Sequence, residues 1–324
     1  MAGRPAAPVH ITNNVLPGNM LAAYECRPRD IYDSMNDDMQ WLIWLAEHRV
    51  IVNKNDCANC QRPMSLVRRT ESPDGYSWKC VRCNTRTSIR TGSFFDHCLL
   101  STQKIVMMLY YWIYEVKCKH VMLFENIDSW DTIVKYNNFF RMQCHNWLQT
   151  EQVELGGFDA NGQPTYIEVD ETYFLHRKYH RGRHRRGKWV VGIIERVSGR
   201  TWMEVVRRRD AATLRRIVEA HVLAGSIIVT DEWAGYANVN QWNNGTYQHE
   251  VVVHARMFVD EHHPDIHTET IEGFWMHAKR KLRYQSGTSR ALFASYLSEF
   301  QWRFRHKACL FGKYLKMLSY NYQT

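Results

Sequence analysis

Tyr166-Ile-Glu-Val-Asp170 is a short run of β-branched and aromatic residues that ends on an acid. Two runs of the same kind follow, Trp189-Val-Val-Gly-Ile-Ile194 and Thr201-Trp-Met-Glu-Val-Val206, set apart by basic or glycine-containing segments, and all three read as β-strands. A helix is expected next, with Asp210 as its N-cap and Leu214, Ile217, Val218 and Val222 on its buried face. Ser226-Ile-Ile-Val-Thr-Asp231 is again apolar, as a buried strand would be, and again ends on an acid. A strand at His249–His254 and a long helix from Thr268 to Arg283 complete the series. Three strands, a helix, a strand, a connecting helical segment, a strand and a closing helix form the succession of a ribonuclease H-like α/β fold. That domain is assigned to residues 160–310.

In this fold the first and fourth strands are neighbours, so Asp170 and Asp231 are expected side by side, with Glu272 reaching them from the closing helix. Converging carboxylates suit phosphodiester chemistry. Two Mg²⁺ (or Mn²⁺) ions about 4 Å apart stabilise the attacking and leaving oxygens, and Mg²⁺ takes few carboxylates, completing its shell with water and phosphate oxygens. Glu269 lies one helical turn from Glu272 and faces the same side. It is the alternative third acid.

Upstream, Cys57-Ala-Asn-Cys60 and Cys80-Val-Arg-Cys83 are two CxxC knuckles with the turn signal Pro73-Asp74-Gly75 between them. This spacing predicts a zinc ribbon over 51–98, with four thiolates closing one tetrahedral structural Zn²⁺ site. Arg62, Arg68, Arg69, Lys79, Arg82, Arg86 and Arg90 surround the knuckles, so the ribbon is expected to meet DNA phosphates. Helical patterns from Ser101 to Val116, His120 to Asn126 and Thr132 to Leu148 suggest a small helix-turn-helix-like module over 99–155 that reads DNA. Residues 1–50 read as an arm, unstructured to about residue 28, followed by a helix that Ser34 would cap; 311–324 reads as a C-terminal tail.

The 324 residues carry 42 Lys+Arg against 33 Asp+Glu, a net charge of +9, which favours a polyanionic partner. No stretch approaches the roughly 18 apolar residues of a spanning helix, and the N-terminus lacks a secretory pattern, so no membrane role is expected and the chain should remain inside the cell. Nine cysteines with two CxxC pairs fit metal ligation in a reducing compartment; Cys26, Cys98, Cys118, Cys144 and Cys309 are expected as buried thiols. Two basic stretches are candidate DNA contacts. One holds Arg177, Lys178, Arg181, Arg183, Arg185, Arg186 and Lys188, a pattern that also suits nuclear import, and the other holds Lys279, Arg280, Lys281 and Arg283. His249, His254 and His267 are expected as hydrogen-bonded structural histidines.

Val169-Asp170-Glu171-Thr172, Thr230-Asp231-Glu232-Trp233-Ala234-Gly235-Tyr236 and His267-Thr268-Glu269-Thr270-Ile271-Glu272-Gly273-Phe274-Trp275, followed by Lys279, resemble motifs of the Merlin superfamily of DNA transposons and of related bacterial insertion-sequence transposases. The resemblance runs from the ribbon to about His306. It implies a DDE transposase that performs cut-and-paste transposition: hydrolysis at terminal inverted repeats, then attack of the freed 3′-hydroxyl on target DNA. Asp170, Asp231 and Glu272 would hold the metal ions, with Lys279 supporting, because in these families a basic residue commonly follows the third acid by seven positions. Several bacterial relatives carry Asn where Glu269 stands, which leaves Glu269 as a ligand or a water-positioning neighbour. The resemblance also implies double-stranded DNA as partner, a homodimer or larger assembly on it, and a place in the nucleus of a eukaryotic host or otherwise in the cytoplasm and nucleoid. A descendant that binds DNA without cutting it and a hydrolytic nuclease of the same fold are the alternatives.

Overall fold

The computed structural model describes residues 10–174, 187–252, 267–284 and 291–322. The chain divides into two units, Met1–Gln143 with His306–Thr324 and Cys144–Arg305. In the first, three short helices, α1 (Gly18–Ala22), α2 (Pro28–Ser34) and α3 (Asp38–Glu47), precede the antiparallel strands β1 (Ser65–Arg68), β2 (Tyr76–Lys79) and β3 (Arg86–Ser88). α1 lies within the stretch expected to be unstructured. The cap of α3 is Asp37, which accepts from the Met39 and Gln40 amides, and not Ser34. Ser34 is already the last residue of α2, a helix that Pro28 starts with its fixed φ. Next come α4 (Thr102–Ile113), capped by Ser101, α5 (Cys118–Glu125), ended by left-handed Asn126, and α6 (Trp130–Thr150), which runs across the division. Arg90, expected to face DNA, is buried instead. It forms a bidentate pair with Asp74 and donates to the Cys98 and Leu100 carbonyls, which fixes the exit of the cysteine-rich segment.

The second unit holds a two-strand pair, β4 (Leu155–Gly156) with β8 (Val222–Leu223), and a five-stranded sheet. β5 (Tyr166–Phe174), β6 (Lys188–Glu195) and β7 (Thr201–Val206) form an antiparallel meander. After α7 (Ala211–His221), β9 (Ile227–Asp231) returns parallel to β5, and β10 (Gln248–Val252) lies parallel to β9. The sheet order is β10-β9-β5-β6-β7. Side chains alternate across the sheet. Ile167, Val169, Val191 and Ile193 pack with Leu214, Ile217 and Val218 of α7 on one face. Val190, Ile194 and Met203 pack on the other against α8 (Glu269–Tyr284) and α9 (Phe293–Arg305). Because both faces are covered, β6 reads as an almost continuous apolar run. β7 is an edge, and α9 closes it: Gln301 bonds both the amide and the carbonyl of Met203, and Arg305 donates to the Thr201 carbonyl.

The last helix, α10 (Leu310–Tyr322), belongs to the first unit and occupies the segment expected as a tail. Phe311, Tyr314, Leu315 and Leu318 recur at helical spacing and are buried, and the Tyr314 hydroxyl donates to the Phe140 carbonyl. Among the described residues no helix is long and apolar enough to cross a membrane.

One glycine in the sheet has a steric reason. Gly192 pairs with Asp170 across β5 and β6, and a Cβ there would lie 2.4 Å and 2.6 Å from the Cζ2 and Cη2 atoms of Trp275. The six-membered part of the indole sits against the bare backbone. Gly192→Ala is expected to force Trp275 outward and to cost about 1–3 kcal/mol, the scale of core overpacking. A lower Tm together with altered tryptophan emission would show it; an unchanged melt would mean the ring has room.

Candidate active site

The register of β5 against β9 pairs Tyr166 with Ile227, Ile167 with Ile228 and Glu168 with Val229. Carried two residues further, it sets Asp170 level with Asp231. β5 itself continues past Asp170 to Phe174, so Asp170 stands within a strand and only Asp231 ends one. The Asp170 carboxylate accepts from the Trp275 indole N–H at 2.9 Å. Burial pushes its pKa up to about 6; the Glu171 amide and the Trp275 indole counter this, and the charges of Asp231 and Glu272 add to it. Asp231 and Glu272 are therefore both within electrostatic reach of Asp170. Asp231 Oδ1 accepts from the Trp233 amide at 3.0 Å, which folds the chain sharply after β9. Glu272 is exposed on the first turn of α8 and accepts from the Thr268 hydroxyl at 3.2 Å. Glu269 and Lys279 are exposed on the same helix.

Two acids that the sequence reading passed over stand beside this group. Glu168, two residues before Asp170 and on the same side of the strand, has no exposed surface. Its Oε1 receives Arg196 Nε at 2.6 Å and its Oε2 receives the Ile271 amide at 2.8 Å. Arg196 also donates to the His267 carbonyl. One buried ion pair, between Glu168 on β5 and Arg196 just past the end of β6, thus holds both chain entry and first turn of α8, the turn that carries Glu269 and Glu272. The signal was available: a glutamate inside an apolar strand needs a partner. Glu171 faces the other way. Burial, then the charges of Asp170 and Asp231, push it up to about 7, while Tyr236 and Arg209 oppose. The Tyr236 hydroxyl and the Glu171 carboxylate are both buried and face one another without completing a hydrogen bond of normal geometry.

His249 Nε2 lies 2.9 Å from the Thr230 hydroxyl, and burial lowers its pKa, so it is a neutral structural group. His267 Nδ1 lies 3.6 Å from Glu168 Oε1. Of the basic residues, Lys279, Arg280 and Arg283 are exposed, and Lys188 sits at the start of β6 over the Phe293 ring. Lys281 departs from the expected DNA contact. It stands seven residues after buried Phe274 and three after buried Ala278, so helical geometry turns it inward. There it lies 3.6 Å from Glu299, and burial brings its pKa down to about 8. Arg177, Lys178, Arg181, Arg183, Arg185, Arg186 and His254 lie outside the described residues.

In the first unit the sulfurs of Cys57, Cys60, Cys80 and Cys83 all lie within 4.8 Å of one another, and among the described residues this is the only group of three or more ligand atoms so close. The three carboxylates are not drawn together to that extent. The knuckles are backbone copies of each other: the Gln61 amide donates to the Cys57 carbonyl and the Asn84 amide to the Cys80 carbonyl, and Gln61 and Asn84 are both left-handed, with φ near 55°. Zn–S bonds of about 2.3 Å in a tetrahedron put sulfurs about 3.8 Å apart, and Cys60 and Cys80 stand at 3.6 Å. The cluster could hold one zinc ion. Arg62, Arg68, Arg69, Arg82 and Arg86 around it are exposed. Of the remaining cysteines, Cys26 and Cys144 are buried, whereas Cys98, Cys118 and Cys309 are half-buried.

Residues 160–305 match the ISXO2-like transposase domain. The match ends where the second unit ends, contains Asp170, Asp231, Glu269 and Glu272, and leaves the cysteine cluster outside. It supports a relationship to insertion-sequence DDE transposases and a transposase-type function for this region, and such a family uses divalent metal ions and binds DNA. Among solved structures, a simian T-cell lymphotropic virus intasome in complex with PP2A regulatory subunit B56 gamma aligns over 60% of this chain and 67% of the matched chain, at 14% identity and a TM-score of 0.32. No curated protein matches the chain.

The raised pKa of Asp170 has a consequence for stability. Its folded value, about 6, lies above that of an unfolded chain, so burying the ionised form costs free energy at neutral pH, and the cost fades as pH falls from 6 towards 4. Without divalent ions, Asp170→Asn should be more stable than the parent above pH 6 by on the order of 2 kcal/mol, and the gain should vanish near pH 4. Denaturant unfolding across this range measures it; a variant less stable at pH 7 would contradict the burial cost.

Proposed function

We propose that the second unit is a ribonuclease H-like DDE transposase domain that cuts transposon ends and joins them to target DNA, with Asp170, Asp231 and Glu272 as its metal ligands. The observation that carries this reading is the placement of Asp170 and Asp231 on adjacent parallel strands, at levels that the register of those strands brings together, with the charges of Asp231 and Glu272 both acting on Asp170, all within the matched domain. The strand order, an antiparallel meander followed by a helix and a parallel strand inserted beside the first, supports the fold. Among the described residues no cation is among the groups that shift Asp170, while two further acids are, which suits divalent ions.

Two such ions would stabilise the entering and leaving oxygens of an in-line displacement at phosphorus. The chain's part is to hold the acids in place. The Trp275 indole fixes one oxygen of Asp170, the Trp233 amide fixes one of Asp231, and the Thr268 hydroxyl fixes one of Glu272. Glu272 is favoured over Glu269 because its charge acts on Asp170, and Lys279, two turns along the same helix, offers a cation to a strand phosphate. Zinc in the ribbon and the helices α4–α6 would form the part that recognises terminal inverted repeats, by the Merlin domain plan. Two ends cut in concert call for a homodimer or larger assembly, working in the nucleus or nucleoid.

Incubation with Mg²⁺ and DNA from the flanks of the gene's own locus should give cut ends joined to target. Asp170→Ala, Asp231→Ala and Glu272→Gln should each lower the rate by about 10²–10³ or more, the scale of losing one preorganised charge-stabilising contact, whereas Glu269→Gln should keep most of it. Full activity in Asp170→Ala would end the proposal, and products cut but never joined would make the enzyme a nuclease. Separately, elemental analysis should find about one zinc per chain, lost in the Cys57→Ser, Cys80→Ser double variant; zinc that persists there would refute the site.

A further inference from the structure

Beside Asp231 the surface carries a stack of aromatic and cationic side chains that the acid cluster does not use. Arg209 Cζ lies 4.4 Å from the centre of the Trp189 ring and 3.9 Å from that of Trp233, so the guanidinium is held between two indoles. Tyr173 extends the stack, its ring 5.0 Å from that of Trp189. Trp233 is bound to the site by its backbone, which donates to Asp231 Oδ1, and its indole N–H donates to the Arg209 carbonyl at 3.3 Å. Yet 38% of Trp233 remains exposed, and Arg207 and Arg208, which precede Arg209 in the chain, are exposed as well, Arg208 at 2.9 Å from Asp210.

We propose that Trp233, backed by Arg209 and Trp189, is a stacking platform for one unpaired nucleotide of the DNA strand that passes the acid cluster, with Arg207 and Arg208 taking its phosphates. This inference rests on the function proposed above for placing DNA there. A large indole left open to water, stiffened from behind by a cation, and flanked by arginines is the combination that binds single-stranded nucleic acid: every base has a π-face, and the backbone supplies the negative charge. Duplex DNA offers that face only where a base has left its stack. The ligand is therefore a frayed, flipped or overhanging nucleotide and not a paired one.

The test uses the full chain in EDTA, so that no cleavage takes place. One probe is a duplex ending in a short single-stranded extension that carries 2-aminopurine, and the other is the same duplex with a blunt end. The protein should bind the tailed duplex about tenfold tighter, the scale of one base–aromatic stack, and should quench the 2-aminopurine. Trp233→Ala should lose the quenching and the preference, and Trp233→Phe should keep most of both. Equal binding of the two duplexes by the unaltered protein, or undiminished quenching in Trp233→Ala, would overturn the proposal. If Trp233→Ala does not fold, the comparison of the two duplexes with the unaltered protein decides. Quenching that survives where Asp170→Ala leaves activity intact would reject only the catalytic reading. Absent quenching in a protein whose activity needs Asp170 would reject only the platform.

Discussion

A carboxylate sealed from water underlies the geometry of the second unit. Glu168 has no exposed surface and needs a partner in the sheet; Arg196 takes one of its oxygens and the Ile271 amide the other. That bond satisfies one of the orphan donors at the start of α8, where a negative charge is also favoured by the helix dipole. The distance from the central strand to the helix that bears Glu272 is thus set by a charge-assisted hydrogen bond and not by the softer packing of Phe274 and Leu282. Removing either partner would leave the other buried and alone, a loss of about 3–5 kcal/mol in comparable pairs.

Around this anchor the acids have been assembled against electrostatic preference. Asp170 and Glu171 point to opposite sides of one strand, and both are pushed up by burial and by their acidic neighbours. The fold supports such a concentration because hydrogen-bond donors meet the carboxylates one by one: an indole at Asp170, an amide at Asp231, a hydroxyl at Glu272. Each donor comes from a residue within four positions of an acid along the chain or from the facing helix, so strand register and helix phase decide the arrangement together.

Much of this was legible in the sequence where a local pattern and the tertiary structure agree. The strands at 166–170, 189–194, 201–206 and 226–231 announced themselves by β-branched runs, Asp210 by its place before an amphipathic helix, and the cysteine cluster by its spacing. The readings that failed did so where a residue's partner is distant in sequence. Arg90 looks like one more basic residue of the ribbon until Asp74 buries it. Lys281 belongs to a basic run, but helix phase sends it to Glu299. Glu168 was hidden in plain view by its apolar neighbours, and Gly192 cannot be told from any other strand glycine without Trp275 above it. The helix at 310–322 carries its apolar residues at helical spacing, but the partner that Tyr314 meets, Phe140, stands far away in the sequence.

The edge of the sheet carries a consequence of its own. Exposed strand edges are where β-proteins join one another, and β7 would be the natural place for a second copy to add its own strand. Gln301 and Arg305 already occupy the outward amide and carbonyls of Met203 and Thr201, so backbone-to-backbone pairing there would first require α9 to let go. While α9 stays in place, a second copy cannot extend the sheet past β7 by strand pairing at Met203, and along that edge the sheet is finished at five strands.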